Sequence, residues 1–338
     1  MFGIFLSLVL GAAQAEVKQV APGNETLATA VTNAVAGDVL ELLTGNYSGT
    51  TVTIDKQLTL RAASASDDPV LLLPLSLTAD GIRLQDLNFN GTSITSSADV
   101  VIAGNALVNT AVTANNSLAS LTFIDNTMEQ KVFSPRGEVN FIGNTFTNVV
   151  IQGSPTTARV LGNVFNATEA ERQIALGGSE VAIIGNEFAV VGRGNTLDAN
   201  ITCSPSADCL VIGNRISYEG QFTSPTFVPR ILNANGSRVF VRNNLIKMTS
   251  ATGNDAAGLN AIRIDRTGVF IDISNNIIDF GGFAIGNDPD VAENGAIHVE
   301  DSATVQGNIL VGIQRPTFTF DPRAVANQFL ANLCSNTL

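Results

Sequence analysis

The chain has 338 residues, enough for one large domain or two ordinary ones. With 30 Gly, no Trp, 2 Tyr and only 14% charged residues, the composition excludes a long-helical architecture and suits short strands divided by tight turns. A formal charge of −12 excludes a generic nucleic-acid binder, because phosphate affinity rests on Lys and Arg.

The same charge repels anionic polysaccharides at long range, so such a ligand would need a local basic patch. The hydrophobic share is 45% with positive mean hydropathy, which fills a continuous core. The reading is all-β and single-domain.

Residues 1–15, MFGIFLSLVLGAAQA, run apolar into Ala13-Gln14-Ala15, an A-x-A-like cleavage site, and read as a signal peptide. The n-region carries no Lys or Arg. The apolar run is too short to span a bilayer, and no later stretch reaches transmembrane length. The mature protein, residues 16–338, is expected to be secreted or periplasmic.

Asn24-Glu-Thr-Leu-Ala-Thr-Ala-Val-Thr-Asn-Ala-Val reads as a capped amphipathic helix over about residues 24–36, with Leu27, Ala30, Val31 and Ala34 on one face. Such a helix would cover the open end of a solenoid core, which otherwise exposes strand edges. AGDVLELLTGNYSG, TVTID and QLTLRA follow as three strand-like runs of a first coil.

From residue 100 to 310 one phrase recurs: VIAGNAL, TFIDNTM, NFIGNTF, RVLGNVF, AIIGNEF, LVIGNRI, FVRNNLI, DISNNII and TVQGNIL. Its asparagines, aligned as Asn105, Asn126, Asn144, Asn163, Asn186, Asn214, Asn243, Asn275 and Asn308, are unequally spaced. Repeats of this length mean a solenoid or propeller, and unequal spacing disfavours propeller blades. Alternating Val, Ile and Phe before the Asn make a period-two strand. Gly-Asn then bends the chain, because both residues tolerate left-handed geometry. A stacked Asn amide donates to one neighbouring coil and accepts from the other. This predicts a right-handed parallel β-helix of about nine or ten coils over about residues 38–315, roughly 45 Å long at ~4.8 Å per coil. A C-terminal cap is expected over about residues 316–338.

The stretch NETLATAVTNAVAGDVLELLTGNYSGTTVTIDKQLTLRA resembles the opening of pectin-lyase-like β-helix proteins, most of all the chondroitinase B and alginate lyase group, polysaccharide lyase family 6. The likeness covers about residues 20–65. It implies cleavage of a uronate-containing polysaccharide by β-elimination, with calcium. Family-6 lyases resemble one another in a Gly-Glu-x-Glu segment, a Ser-x-Lys-Ser segment carrying the base, and a separate arginine. This chain has no Gly-Glu-x-Glu. Lys131-Val-Phe-Ser134 and Arg136-Gly-Glu138 come nearest, and neither matches in order or spacing.

Between residues 215 and 266 lie Arg215, Arg230, Arg238, Arg242, Lys247, Arg263 and Arg266, against Glu219, Asp255 and Asp265. Arg binds oxyanions bidentately, so this basic region suits uronate or sulfate groups; intercoil ion pairs on a solvated face would use the same residues. Arg238, Arg242, Lys247 and Arg266 are the candidate substrate-binding residues.

Alignment of Asn260-Ala-Ile-Arg-Ile-Asp265 on Gly295-Ala-Ile-His-Val-Glu300 stacks Arg263 and His298 on one outer face. Removal of a uronate C5 proton needs a base and a cation or calcium to stabilise the developing charge. His298 is the candidate base, Arg263 and Arg230 the neutralisers, and Asp265 and Glu300 the candidate Ca²⁺ ligands. The plainer alternative is a stacked surface row with Arg263 paired to Asp265 or Glu300.

The acidic run Asp288-Pro-Asp290-Val-Ala-Glu293-Asn294 reads as a turn or a calcium loop without regular spacing. Cys203 and Cys209 could close a small disulfide loop in an oxidising compartment, leaving Cys334 over. Sequons occur at Asn24, Asn46, Asn90, Asn115, Asn166, Asn200 and Asn235.

Three functions follow as expectations. They are a lyase acting on an anionic polysaccharide, a non-catalytic glycan-binding or cell-surface β-helix, and a glycoside hydrolase using Asp265 and Glu300. A monomer is expected, since a capped column needs no partner for stability.

Overall fold

The computed structural model describes residues 15–115, 117–129, 132–167, 173–193, 201–221, 230–250, 260–264, 270–279, 297–299, 303–311, 318–320, 328–330 and 333–335. Its strands form three parallel sheets. Sheet A has fourteen strands, from Val17–Val20 to Gln328–Leu330. Sheet B has fourteen, from Gly23–Asn24 to Leu333–Ser335, and sheet C has twelve, from Val52–Ile54 to Phe318–Phe320. One coil takes one strand from each, as in Val100–Ala103, Ala106–Val108 and Ala111–Ala114. Parallel crossovers are right-handed almost without exception, so this is a right-handed parallel β-helix.

The column is longer than the Asn phrase implied. Fourteen strands at ~4.8 Å per step give roughly 60 Å rather than 45 Å. The early coils lack the phrase, and the final strands, Phe318–Phe320, Gln328–Leu330 and Leu333–Ser335, fall in the region expected only to cap.

Period-two alternation fills the interior. Val100 and Ile102 are buried while Val101 and Ala103 face out. Register then stacks like on like: Ile102, Phe123, Phe141 and Val160 are successive partners in sheet A. In sheet B the rings of Phe146, Phe165 and Phe188 stack with centroids 4.6 Å apart, close to the coil rise.

The helix runs from Thr26 to Asn33, with Leu27 and Val31 buried over the first coils. Its N-cap is Glu25, at φ 59 and without a side-chain bond, and not Asn24, which is drawn into a short strand beside Ser48. Lys56 Nζ closes the other end, donating to the carbonyls of Val31, Thr32 and Ala34 at 3.0, 3.1 and 2.8 Å. A cation among the last carbonyls opposes the negative end of the helix dipole.

The asparagines form one ladder, but its members are Asn105, Asn126, Asn144, Asn163, Asn186, Asn214, Asn244, Asn276 and Asn308, each at most 1% exposed. Asn126 is typical. Its Nδ2 and backbone N–H both donate to Asn144 Oδ1 at 2.9 Å, and Nδ2 also donates to the Ile102 carbonyl at 2.8 Å. Below the lowest rung Leu87 holds the position, and its backbone N–H donates to Asn105 Oδ1.

Alignment on Asn243 and Asn275 was therefore one residue early. Those two adopt φ 57 and 56, the left-handed position that Gly104, Gly143 and Gly162 hold in other coils. In an Asn-Asn pair the first residue replaces the glycine and the second enters the ladder.

Candidate functional site

Sheet C carries the candidate site on its outer face. Strand register places Gln152, Ala175, Thr202, Asn233, Arg263 and His298 in one row, a coil apart at each step. Arg263 and His298 are direct partners, as the alignment predicted. At ~4.8 Å per coil the row is about 24 Å long.

Its lower half is open. A cleft of about 260 Å³ is lined by Gln152, Ser154, Thr202 and Ser204 with neighbouring small residues. Here Asn235 Nδ2 donates to Asn233 Oδ1 at 2.9 Å and to Ser204 Oγ at 3.4 Å, which fixes the direction of the Asn233 amide. In the upper half Arg263 and His298 are each only 5% exposed, and residues 261–264 and 297–299 are buried on both faces of the sheet. Two basic side chains lie shoulder to shoulder there, away from bulk water.

The other predicted residues scatter. Arg230 stands opposite Asn260, three positions before the Asn233–Arg263 pairing, so Asn233 and not Arg230 is Arg263's neighbour in the row. Arg238 and Arg242 lie on sheet A, each bound to an acid one coil away. Arg238 Nε meets Asp208 Oδ1 at 2.6 Å, and that carboxylate raises the arginine's pKa. Arg242 Nη2 meets Asp272 Oδ2 at 2.6 Å, with its guanidinium 4.8 Å from the centroid of the Phe240 ring.

Lys247 is exposed on sheet B, opposite Asp279. The net positive charge of residues 215–266 is thus shared among three faces and makes no single patch. Asp265, Arg266, Glu300 and the run 288–294 lie outside the described residues. Among the described residues, no group of three or more His, Cys, Asp or Glu could hold a metal ion.

Basic content drew attention to Arg238 and Arg242, and missed Gln152, Thr202 and Asn233. Only strand register reveals those three, because nothing in their chemistry marks them before the coils are aligned.

A second cleft of about 670 Å³ opens beside the ladder corner, lined by Arg61, Ser64, Asp67, Asp86, Asp125 and Thr127 among others. Arg61 is bound to Glu41 at 2.7 Å. Hydroxyls of Ser64 and Thr44 donate to Asp67 and hold its carboxyl below the usual range.

Cys203 and Cys209 are joined by a disulfide and are fully buried. No helix among the described residues is long and apolar enough to cross a membrane.

No protein-family profile matches the chain, and no curated protein sequence matches it. Among solved structures it is similar to the Streptococcus pneumoniae surface protein and adhesin PfbA. The match has 9% identity over 93% of this chain and 92% of that one, with a TM-score of 0.30.

Proposed function

We propose that this is an exported β-helix that binds acidic polysaccharide along the outer face of sheet C. The carrying observation is the register row from Gln152 through Thr202 and Asn233 to Arg263 and His298. An extended glycan is a linear ligand, and a straight row of amide, hydroxyl and basic groups offers hydrogen bonds along its length. Arg263, only 5% exposed, closes the upper end of the row, where its planar fork is of the kind that suits a carboxylate or sulfate, while Gln152, Thr202 and Asn233 make up the open part. Export is supported by the apolar leader and by the Cys203–Cys209 disulfide, a bond that persists in oxidising compartments.

The test is electrophoresis of the purified protein through gels containing alginate, pectate, chondroitin or dermatan. Retardation by at least one acidic glycan, reduced by Arg263→Ala and by Thr202→Ala, is expected. No retardation by any of them, or retardation indifferent to both substitutions, would overturn the reading.

A second reading, β-elimination, is favoured by the direct pairing of Arg263 with His298. In it the His298 imidazole takes the C5 proton, Arg263 stabilises the developing charge on the uronate carboxylate, and the C4–O bond breaks as the C4=C5 double bond forms, the leaving oxygen taking a proton from solvent. Asp265 and Glu300 would be the residues to hold a calcium ion. Ultraviolet absorbance from an unsaturated product, lost in His298→Ala, supports this reading. New reducing ends without that absorbance mean hydrolysis, and binding with neither signal leaves the non-catalytic protein.

A further inference from the structure

The N-terminal edge of sheet A holds a carboxylate that glycan binding does not use. Asp38 is fully buried, in the connection between the helix and the strand Val39–Leu42. Acids are rarely buried so completely unless they are paired. Its Oδ2 accepts from Lys18 Nζ at 2.5 Å and from the Val35 N–H at 2.9 Å. Its Oδ1 accepts from the Glu16 nitrogen at 2.9 Å.

That nitrogen stands at a boundary. The Glu16 carbonyl accepts from the Val39 N–H at 2.8 Å, just ahead of the register pair Val17 and Val39, so sheet pairing begins at Glu16. Ala15, one residue earlier, is exposed. Ala15 is also the last residue of the A-x-A-like site Ala13-Gln14-Ala15. The bond that a leader peptidase would cut therefore ends on the nitrogen that Asp38 holds.

We infer that leader removal seats a new Glu16 ammonium on Asp38, and that this ion pair locks the first strand of the column in the exported protein. The inference rests on the export half of the proposed function and not on the glycan. Hydrolysis places the hydroxyl of a water on the Ala15 carbonyl carbon and its hydrogen on the Glu16 nitrogen, as the C–N bond breaks. The resulting amine takes a proton at neutral pH, and the new Ala15 carboxyl loses one. A neutral N–H bond to Oδ1 thus becomes a charge-assisted one, which is shorter and roughly twice as strong. Asp38, paired until then with Lys18 alone among cations, gains a second one on its other oxygen.

The lock has a definite pH signature. An α-amino group has an ordinary pKa of ~7.7–8.0, and pairing with a carboxylate raises it in the folded state. Its stabilisation is fully present below that ordinary value and is lost as pH rises through the folded one. The other charged groups at this edge are Lys18 and the Glu16 side chain on the first strand, Lys56 at the helix end, and the Glu41–Arg61 pair on the next two strands. All of them are common to the two chains compared below, so they cancel in the difference.

The full chain, exported from a secreting host, should begin at Glu16 on N-terminal sequencing. A chain beginning at Glu16 is then compared with one beginning at Ala13, where the same nitrogen stays an amide and the ammonium lies three residues away. The Glu16 chain should have the higher thermal midpoint at about pH 6.5, and the gap should close by about pH 10.5. At about pH 7 an acylating reagent should modify the Glu16 amine at least tenfold more slowly than the Ala13 amine, the effect of one pKa unit. Asp38→Asn should abolish both differences, and if that variant does not fold the two wild-type chains carry the test. Equal midpoints, a gap that persists at high pH, equal labelling rates, or differences that survive Asp38→Asn overturn the inference. An exported protein that begins at Glu16 without these differences sinks the lock alone, whereas a retained leader or another first residue sinks the cleavage site with it.

Discussion

The carboxylate of Asp86 lies over the α-carbon of Gly104 in the next coil, so that a Cβ built on Gly104 would stand 2.3 Å from Asp86 Oδ1. Asp125 and Gly143 repeat the relationship at 2.3 Å, and Asn275 and Gly307 at 2.4 Å. At these three corners the side chain of one coil occupies the space that a Cβ would need in the next, where the chain has glycine. Gly162, at φ +62, has nothing within 4 Å of its Cβ position.

Two glycines with the same backbone conformation should therefore respond differently. Gly162→Ala should cost about 1–2 kcal/mol for the left-handed conformation alone. Gly104→Ala should cost about 1 kcal/mol more, because Asp86 is pushed off its rotamer, and Asp86→Gly should recover the difference. Urea unfolding of the three variants checks this. Equal losses for both alanines would show that the Asp86 contact carries no energy.

Asn163→Ala should be among the most damaging single changes. It removes the acceptor of the Asn144 N–H and Nδ2 bonds, at 2.8 and 2.9 Å, and the donor to the Phe141 carbonyl at 2.9 Å. Stranding buried polar groups costs about 1–3 kcal/mol each, so a loss of about 3–5 kcal/mol is expected in denaturant unfolding. A loss below about 1 kcal/mol would mean that water or neighbouring coils replace the ladder at little cost.

The disulfide closes a loop with a sequence separation of only six. The chain-entropy relation for so short a loop gives about 2 kcal/mol. Paired Cys203→Ala and Cys209→Ala changes should lower stability by that amount, as should reduction of the wild type. Reduction that leaves the double-alanine protein unaffected but destabilises the wild type isolates the bond itself.

Acid should loosen the N-terminal edge of sheet A. Asp38 accepts from Lys18 Nζ at 2.5 Å and from the backbone N–H groups of Val35 and Glu16 at 2.9 Å, which together hold its carboxyl at about 2. A carboxyl depressed in the folded state stabilises above its unfolded pKa of ~3.9, and the contribution disappears as pH falls through about 2. Asp38→Asn should lower stability near neutrality and flatten the decline between about pH 4 and 2. An unchanged acid limb in that variant would assign the decline to other groups.

Fold class was legible because its signal repeats. Nine asparagine phrases, each with its own alternating strand, report the same corner, and an error at one does not mislead the rest. The errors came where the phrase changes its letters. Asn243-Asn244 and Asn275-Asn276 offer two candidates, and only the sign of φ separates them. Leu87 holds a ladder position without an amide and the coils below it lack the Asn phrase, so about nine or ten coils were expected where sheets A and B have fourteen strands. The Arg263–His298 pairing was readable, since the six-residue runs Asn260–Asp265 and Gly295–Glu300 match position for position. Clustering of arginines by sequence number was misleading, because each coil distributes thirty or so consecutive residues over three faces.

From Asn126 to Asn308 the interval between rungs grows from 18 to 32 residues, yet the turn joining sheets A and B stays two residues long throughout. The variation is taken up at the other two corners and in sheet B, whose strands run from three residues to seven. The amide column is in this sense the spine of a book whose pages differ in width, and it allows whole coils to be removed or inserted. Excision of the 19 residues from Asn144 through Gly162 would leave Asn126 beneath Asn163 with the seam intact on both sides. Growth by duplication of such units explains how a chain can lengthen its faces without redesigning its core.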